Sequence, residues 1–194
     1  MKLLNVSFIL IAIITLSSFS IKDSGYTIDP QKSKITWVGK KVTGQHNGTI
    51  NLSEGNFTVK GKKISGGSFA IDMTTLKDAD ANERLEKHLK SDDFFSSEKH
   101  PRSTFVISSI ESKGGDQYAV KGNLTIKGIT NEIEFPATIK TEKNQIAASA
   151  KIVVDRTKFD IKFRSGNFFE NLGDRAIDDN FELNVELVGT SSGK

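Results

Sequence analysis

The sequence predicts an all-β protein, an antiparallel barrel of about eight strands carrying one amphipathic helix. Three observations predict it. Apolar and polar residues alternate strictly over many short runs, the period-2 pattern of a strand with one dry and one wet face. Glycine and asparagine punctuate those runs. A single segment, residues 78–90, changes to helical spacing.

The alternation is clearest in the second half. Tyr118, Val120, Gly122, Leu124 and Ile126 fall on one parity, with Ala119, Lys121, Asn123, Thr125 and Lys127 between them. Ile133, Phe135, Ala137 and Ile139 form the next run, with Pro136 on its outward side. A proline cannot donate to a ladder, so that strand is expected to be bulged or locally unpaired there. Ile146, Ala148, Ala150, Ile152 and Val154 make a third run; Phe181, Leu183, Val185 and Leu187 make a fourth.

The first half gives shorter runs: Ile35 and Trp37, Ile50 and Leu52, Phe57 and Val59, then Phe69, Ile71 and Met73, then Phe105 and Ile107. Turns are expected at Asn47-Gly48, Gly61, Gly66-Gly67, Gly114-Gly115, Gly128 and Asn144, with a bulge or turn where the parity changes at Gly55. In residues 78–90, Ala81, Leu85 and Leu89 recur at spacing four opposite Glu83, Arg84, Glu86 and Lys87. Asp78 or Asp80 is the expected cap, and the helix is read as a lid or plug on a barrel end.

Residues 1–20 stand apart. Lys2 precedes an apolar run from Leu3 to Leu16, and Ser18 and Ser20 supply a small-x-small exit. This is the pattern of a secretory signal peptide cleaved after Ser20, placing residues 21–194 in the periplasm or outside the cell as one domain. The run is short of the ~20 apolar residues a spanning helix needs.

The chain has 27 Lys+Arg and 24 Asp+Glu; losing Lys2 leaves 26 against 24, a balance of +2. The charges are interspersed. Nucleic-acid binding needs a clustered basic face, which the sequence lacks. There is no cysteine, so thiol chemistry, thiolate metal sites and disulfides are excluded. His46, His88 and His100 lack metal-ligand spacing, with His46 expected in a turn. No Gly-x-Ser-x-Gly elbow or phosphate-cradling glycine loop occurs. No cofactor is expected, and a binding protein is favoured over an enzyme.

With polar residues outside, the apolar faces meet in the interior, which excludes an outer-membrane barrel. Eight strands enclose either a filled core or a slender ligand. Small inward residues, Gly122, Ala137, Ala148 and Ala150, favour a lumen. Arg156 and Asp179 fall on inward parity. They are read either as a pair closing one barrel end or as Arg156 gripping a polar head group. Phe159, Phe163, Phe168 and Phe169 cluster beyond, at the mouth or in the core. An enzyme acting on a lipid through Asp160, Asp179 and Arg156, and a filled barrel serving as an interaction module, are the competing readings.

Several stretches, in order, resemble the YceI-like family of exported bacterial proteins over residues 26–188. They are Tyr26-Thr27-Ile28-Asp29 with Ser33 and Trp37, then His46-Asn47-Gly48, then His88-Leu89-Lys90-Ser91-Asp92-Asp93-Phe94-Phe95 with His100-Pro101 and Phe105. Gly122-Asn123-Leu124-Thr125-Ile126-Lys127-Gly128 with Phe135, and Arg156-Thr157-Lys158-Phe159-Asp160-Ile161, complete the set. The resemblance implies an extended lipocalin-like barrel, often a homodimer, holding a polyisoprenoid or a quinone- or fatty-amide-like amphiphile. The ligand-binding residues it implies are Trp37, Phe69, Ile71, Phe105, Val120, Leu124, Ile126, Phe135, Ala148, Ala150, Ile152, Val154, Arg156, Phe159, Phe181 and Leu183. The family commonly has glycine where this chain has Asp160.

Overall fold

A computed structural model describes residues 24–61 and 63–192. The signal-peptide reading of residues 1–20 lies outside the described residues. The strands are β1 Ser24–Ile28, β2 Lys34–Lys41, β3 Gly44–Lys60, β4 Lys63–Asp78, β5 Arg102–Gly114, β6 Gln117–Ile126, β7 Ile129–Glu142, β8 Gln145–Asp155 and β9 Ile177–Ser191. One helix, α1 Glu83–Lys90, lies between β4 and β5. All pairings are antiparallel.

The strands from β2 to β9 close into an eight-position barrel: β9 to β4 neighbour one another in descending order, and β3 joins β4 back to β2. β1 shares the β2 position, pairing β3 and β9 near the opposite barrel end. The expected parity holds: Ile50, Leu52, Phe57, Phe69, Phe105, Ile107, Val120, Leu124 and Ile126 are all buried. Asn51, Asn56, Asn123 and Lys151 alternate with such residues on the wet side.

Several local readings change. Asn47-Gly48 is not a turn but the interior of the 17-residue β3. A Cβ on Gly48 would sit 1.8 Å from the Lys77 carbonyl oxygen and 2.8 Å from the Trp37 ring, so the glycine serves close approach. The turn is earlier, at Val42-Thr43, and His46 is therefore in a strand opposite Gly39. Gly66-Gly67 likewise lies inside β4, where a Gly67 Cβ would meet the Asn56 carbonyl at 2.5 Å. The parity change near Gly55 is a bulge, with the register shifting between Leu52 and Glu54.

The helix starts later than its spacing predicts. Asp78 ends β4, and its carboxylate accepts from the backbone N–H of Asp80 and Asn82, holding the approach in a turn with Ala81 at φ 56°. Asn82 is the cap, accepting from the Leu85 N–H at 3.1 Å. Glu86 anchors the helix to β4, accepting from the Asp78 N–H at 3.1 Å and the Lys77 ammonium at 2.8 Å.

Candidate functional site: an apolar lumen under the helix

The barrel encloses a cavity of about 260 Å³. Every one of the eight barrel positions contributes side chains, and so does α1 through Leu85 and Leu89. The walls are apolar because the strand period turns one residue in two inward and the sequence makes those residues Ile, Leu, Val, Phe or Ala. An aromatic row crosses the interior. Phe57 meets Phe69 edge-on at 5.1 Å, Phe69 stacks on Phe105 at 6.5 Å, and Phe105 tilts against Phe135 at 5.4 Å. The polar residues on the lining, chiefly Lys40, Lys41, His46, Asp178 and Asn180, sit where β2, β3 and β9 end beside the helix. That end is the mouth, and α1 with the following Phe94 and Phe95 overhangs it.

Of the residues the sequence nominates, Trp37, Phe69, Ile71, Phe105, Val120, Leu124, Ile126, Phe135, Ala148, Ala150, Ile152, Arg156, Phe181 and Leu183 line the cavity. Val154 and Phe159 do not; each is 1 % exposed and packs in the solid core beside it. The small-residue argument holds for Ala137, Ala148 and Ala150, which face the space. It fails for Gly122, where a Cβ would meet the Val106 carbonyl at 2.5 Å and the Phe105 ring at 2.6 Å. Phe105 itself fills the room that glycine leaves. Lining residues not nominated include Leu85, Leu89 and Phe95, which only the fold of the helical segment brings over the mouth.

Arg156 is buried at the mouth, and its guanidinium is largely committed to the chain. Nε donates to the Asp178 carbonyl at 2.9 Å, Nη1 to Ile161 at 2.7 Å, and Nη2 to Ile177 at 2.9 Å. Asp179 accepts more weakly from Nη2 at 3.4 Å, and its other oxygen accepts from Asn167 at 2.6 Å. The expected Arg–Asp pair thus exists, but backbone carbonyls are the principal partners. Burial pushes the Arg156 pKa down, opposed by the nearby Asp179, Asp155 and Asp178. Arg156 fastens the turn after β8 to the start of β9 and so fixes the rim.

The aromatic cluster divides. Phe163 packs edge-on with His88 at 4.8 Å and beside Phe94 at 5.5 Å, whereas Phe168 and Phe169 are each 50 % exposed. Asp160 occupies a left-handed backbone position, φ 57° and ψ 31°, as the residue ending the short turn Arg156–Phe159. Glycine reaches that conformation freely and aspartate tolerates it, so the exchange conserves the backbone path. Asp160 and Asp179 have different partners: Asp160 pairs with Lys162 at 2.8 Å, whereas Asp179 accepts from Arg156 and Asn167. Among the described residues no three metal-ligating side chains cluster, and no helix is long and apolar enough to cross a membrane.

Comparison with known proteins agrees with this architecture. A family model described as the YceI-like domain matches residues 26–189. A UPF0312 protein of Shewanella denitrificans is 32% identical over 93 residues, covering 48% of this chain and 47% of that protein. Another, from Pseudomonas putida strain W619, is 32% identical over 95 residues, covering 49% of this chain and 50% of that protein. The chain spans about half the length of the curated relatives it matches. Among solved structures, BcnA of Burkholderia cenocepacia superposes with a TM-score of 0.71 at 23% identity, over 84% of this chain and 99% of that one. A polyisoprenoid binding domain from Saccharophagus degradans superposes at 0.67 with 11% identity, over 85% and 97%. At such identities the structural likeness speaks for the fold alone. The family match over residues 26–189, laid on a closed antiparallel barrel with a helix over one end, identifies the chain as a member of the YceI-like domain family.

Proposed function

We propose that this protein is an exported carrier that holds a long-chain amphiphile of the polyisoprenoid class, its tail inside the barrel and its polar end at the mouth. The observation that carries the reading is the apolar lumen of about 260 Å³, walled by all eight strand positions, with its charged lining residues gathered at one end. Burying the tail stabilises the complex by roughly 25 cal/mol per Å², about 0.8 kcal/mol per methylene. That energy accrues along the chain without directional contacts, so discrimination between chain lengths is weak. The apolar lining residues named above from Trp37 to Leu183 are the proposed tail contacts, and the rim around Lys41, His46, Arg156 and Asn180 is the proposed head-group end. The match to the YceI-like family and the polyisoprenoid binding domain of Saccharophagus degradans with the same fold support the ligand class. The reading is of binding without turnover.

Trp37 is the sole tryptophan and lines the lumen, so the protein carries its own reporter. Geranylgeraniol titrated into solvent-extracted protein is expected to change Trp37 fluorescence saturably at one molecule per chain, and to be recovered with unchanged mass. Absence of saturable binding overturns the carrier reading; a chemically altered prenol favours an enzyme. Export rests on the composition of residues 1–20, and N-terminal sequencing of the protein from a periplasmic fraction tests it, with Ile21 expected as the first residue.

A further inference from the structure

The β7–β8 ladder stops half way up the barrel. Residues 137–142 pair with 145–150, ending at Ala137 opposite Ala150. Residues 132–136 of β7 remain paired with β6, and residues 151–155 of β8 with β9, but not with each other. The interruption has a local cause. Backbone groups of alternate residues face the same neighbouring strand. The Ile139 N–H donates toward the β6 side, to Asp116 at 2.8 Å, so odd-numbered residues of β7 face β6 and even-numbered ones face β8. Pro136 is therefore the next residue due to donate to β8, opposite Lys151, and it has no N–H.

The gap closes again above. The Asn131 side-chain amide donates to the Lys158 carbonyl at 2.8 Å, tying β7 to the turn after β8. What lies between is a slot with five residues on each edge, about 16 Å long at ~3.3 Å per residue. It borders the lumen. Phe135, Ala150 and Ile152 beside it line the cavity, and so does Ser149, although its parity points outward. Inward residues around the slot, Ile133, Phe135, Ala150 and Ile152, are only half-buried, whereas Leu52, Phe57, Phe69 and Met73 on the facing β3–β4 wall are buried. The β4–β5 ladder is also interrupted, beyond Ser68 opposite Val106. There, however, Ile64 and Ile110 do not line the cavity, and Gly67 lies tight against Phe57 and Ile107. Of the two breaks, only the one at Pro136 has cavity-lining residues on both edges.

We propose that the slot between β7 and β8 is the lateral portal through which the tail of a long-chain amphiphile enters the lumen. The proposal rests on the carrier reading above. Sideways entry lets a long tail be laid into the barrel without being threaded end-on beneath α1, while its polar end stays outside. Parting the strands further there breaks no ladder hydrogen bond, because none joins β7 to β8 beyond Ala137 opposite Ala150.

The test bridges the slot after folding. The chain has no cysteine, so Glu134→Cys with Val153→Cys, both outward and exposed, are the sole thiols across it. A short bis-methanethiosulfonate links them reversibly. Val106→Cys with Asn123→Cys, opposite each other in the paired β5–β6 seam, is the control. Stopped-flow transfer from Trp37 to dansyl-labelled geranylgeraniol reads the uptake rate. Bridging the slot should slow uptake at least about tenfold, or ~1.4 kcal/mol on the barrier. Reduction should restore the rate, and the final amount bound and the control should be unchanged. Wild-type uptake by the bridged protein overturns the portal and leaves the carrier intact. Failure of the unmodified protein to take up the probe overturns the carrier reading and the portal with it.

Discussion

Replacing Ala150 by phenylalanine decides whether the lumen is empty room or packed core. Ala150 lines the cavity, and its cross-strand neighbours Ala137 and Val185 line it too. A phenylalanine projecting into that space adds roughly 100 Å² of apolar surface over alanine. At ~25 cal/mol per Å² its burial is worth about 2.5 kcal/mol. Fixing the larger side chain costs about 0.5–1 kcal/mol. The variant should therefore be more stable than the wild type by ~1.5–2 kcal/mol. In a filled core the same change would overpack and destabilise by about 1–3 kcal/mol, so the sign alone separates the cases. Urea denaturation followed by Trp37 fluorescence and far-UV circular dichroism gives the stability, and prenol titration gives the capacity. A stabilised variant with lost prenol binding is expected. Destabilisation with undiminished binding would mean that Ala150 faces packed core and not the ligand space.

Arg156→Met removes the donor to three carbonyls and Asp179, stranding buried acceptors; we expect a loss of about 3–5 kcal/mol in denaturation, only partly recovered by Arg156→Lys, whose single ammonium cannot reach all of them. A loss of prenol affinity at unchanged stability would instead assign Arg156 to the head group. Gly48→Ala drives a Cβ into the Lys77 carbonyl and the Trp37 ring, and should cost at least about 1–3 kcal/mol while altering the Trp37 emission maximum. An unchanged spectrum and stability would remove close approach as the reason for the glycine. Hydrogen bonds from Lys151 and Lys40 hold the Glu182 carboxyl at about 2, below its ordinary 4.5. A depressed carboxyl contributes stability that is complete above the unfolded value, so this part should fade as pH falls from about 4.5 toward about 2. Glu182→Gln should flatten the urea midpoint over that window; an equally steep fall in the variant would exclude the pair.

The barrel was legible because strand parity is local. Each inward Ile, Leu or Phe in β6, β8 and β9 declares its face within two residues, and the wet face is polar enough to exclude ambiguity. Local pattern misleads where a residue's role depends on a distant partner. Gly48 reads as a turn beside Asn47 until Trp37 and Lys77 are seen to occupy its side-chain space. Asp78 reads as a helix cap, but Glu86 reaches back to its N–H and fixes it as the end of β4. Strand β1 is only Ser24–Ile28, too short to show a period of its own, and it is held by β3 and β9 from far along the chain. Pro136 did announce unpaired backbone, but only the hairpin register shows that its missing donor faces β8. Likewise Arg156 could be placed inside by parity, whereas its partners are carbonyls that no side-chain pattern encodes.

A lumen that holds a guest should be found carrying one. Native mass spectrometry of the protein purified without detergent or solvent from its own cells tests it most directly. A species heavier than the chain by one long-chain lipid is expected, reverting to the bare mass after organic extraction. A bare mass throughout, unchanged by added prenol, would contradict it.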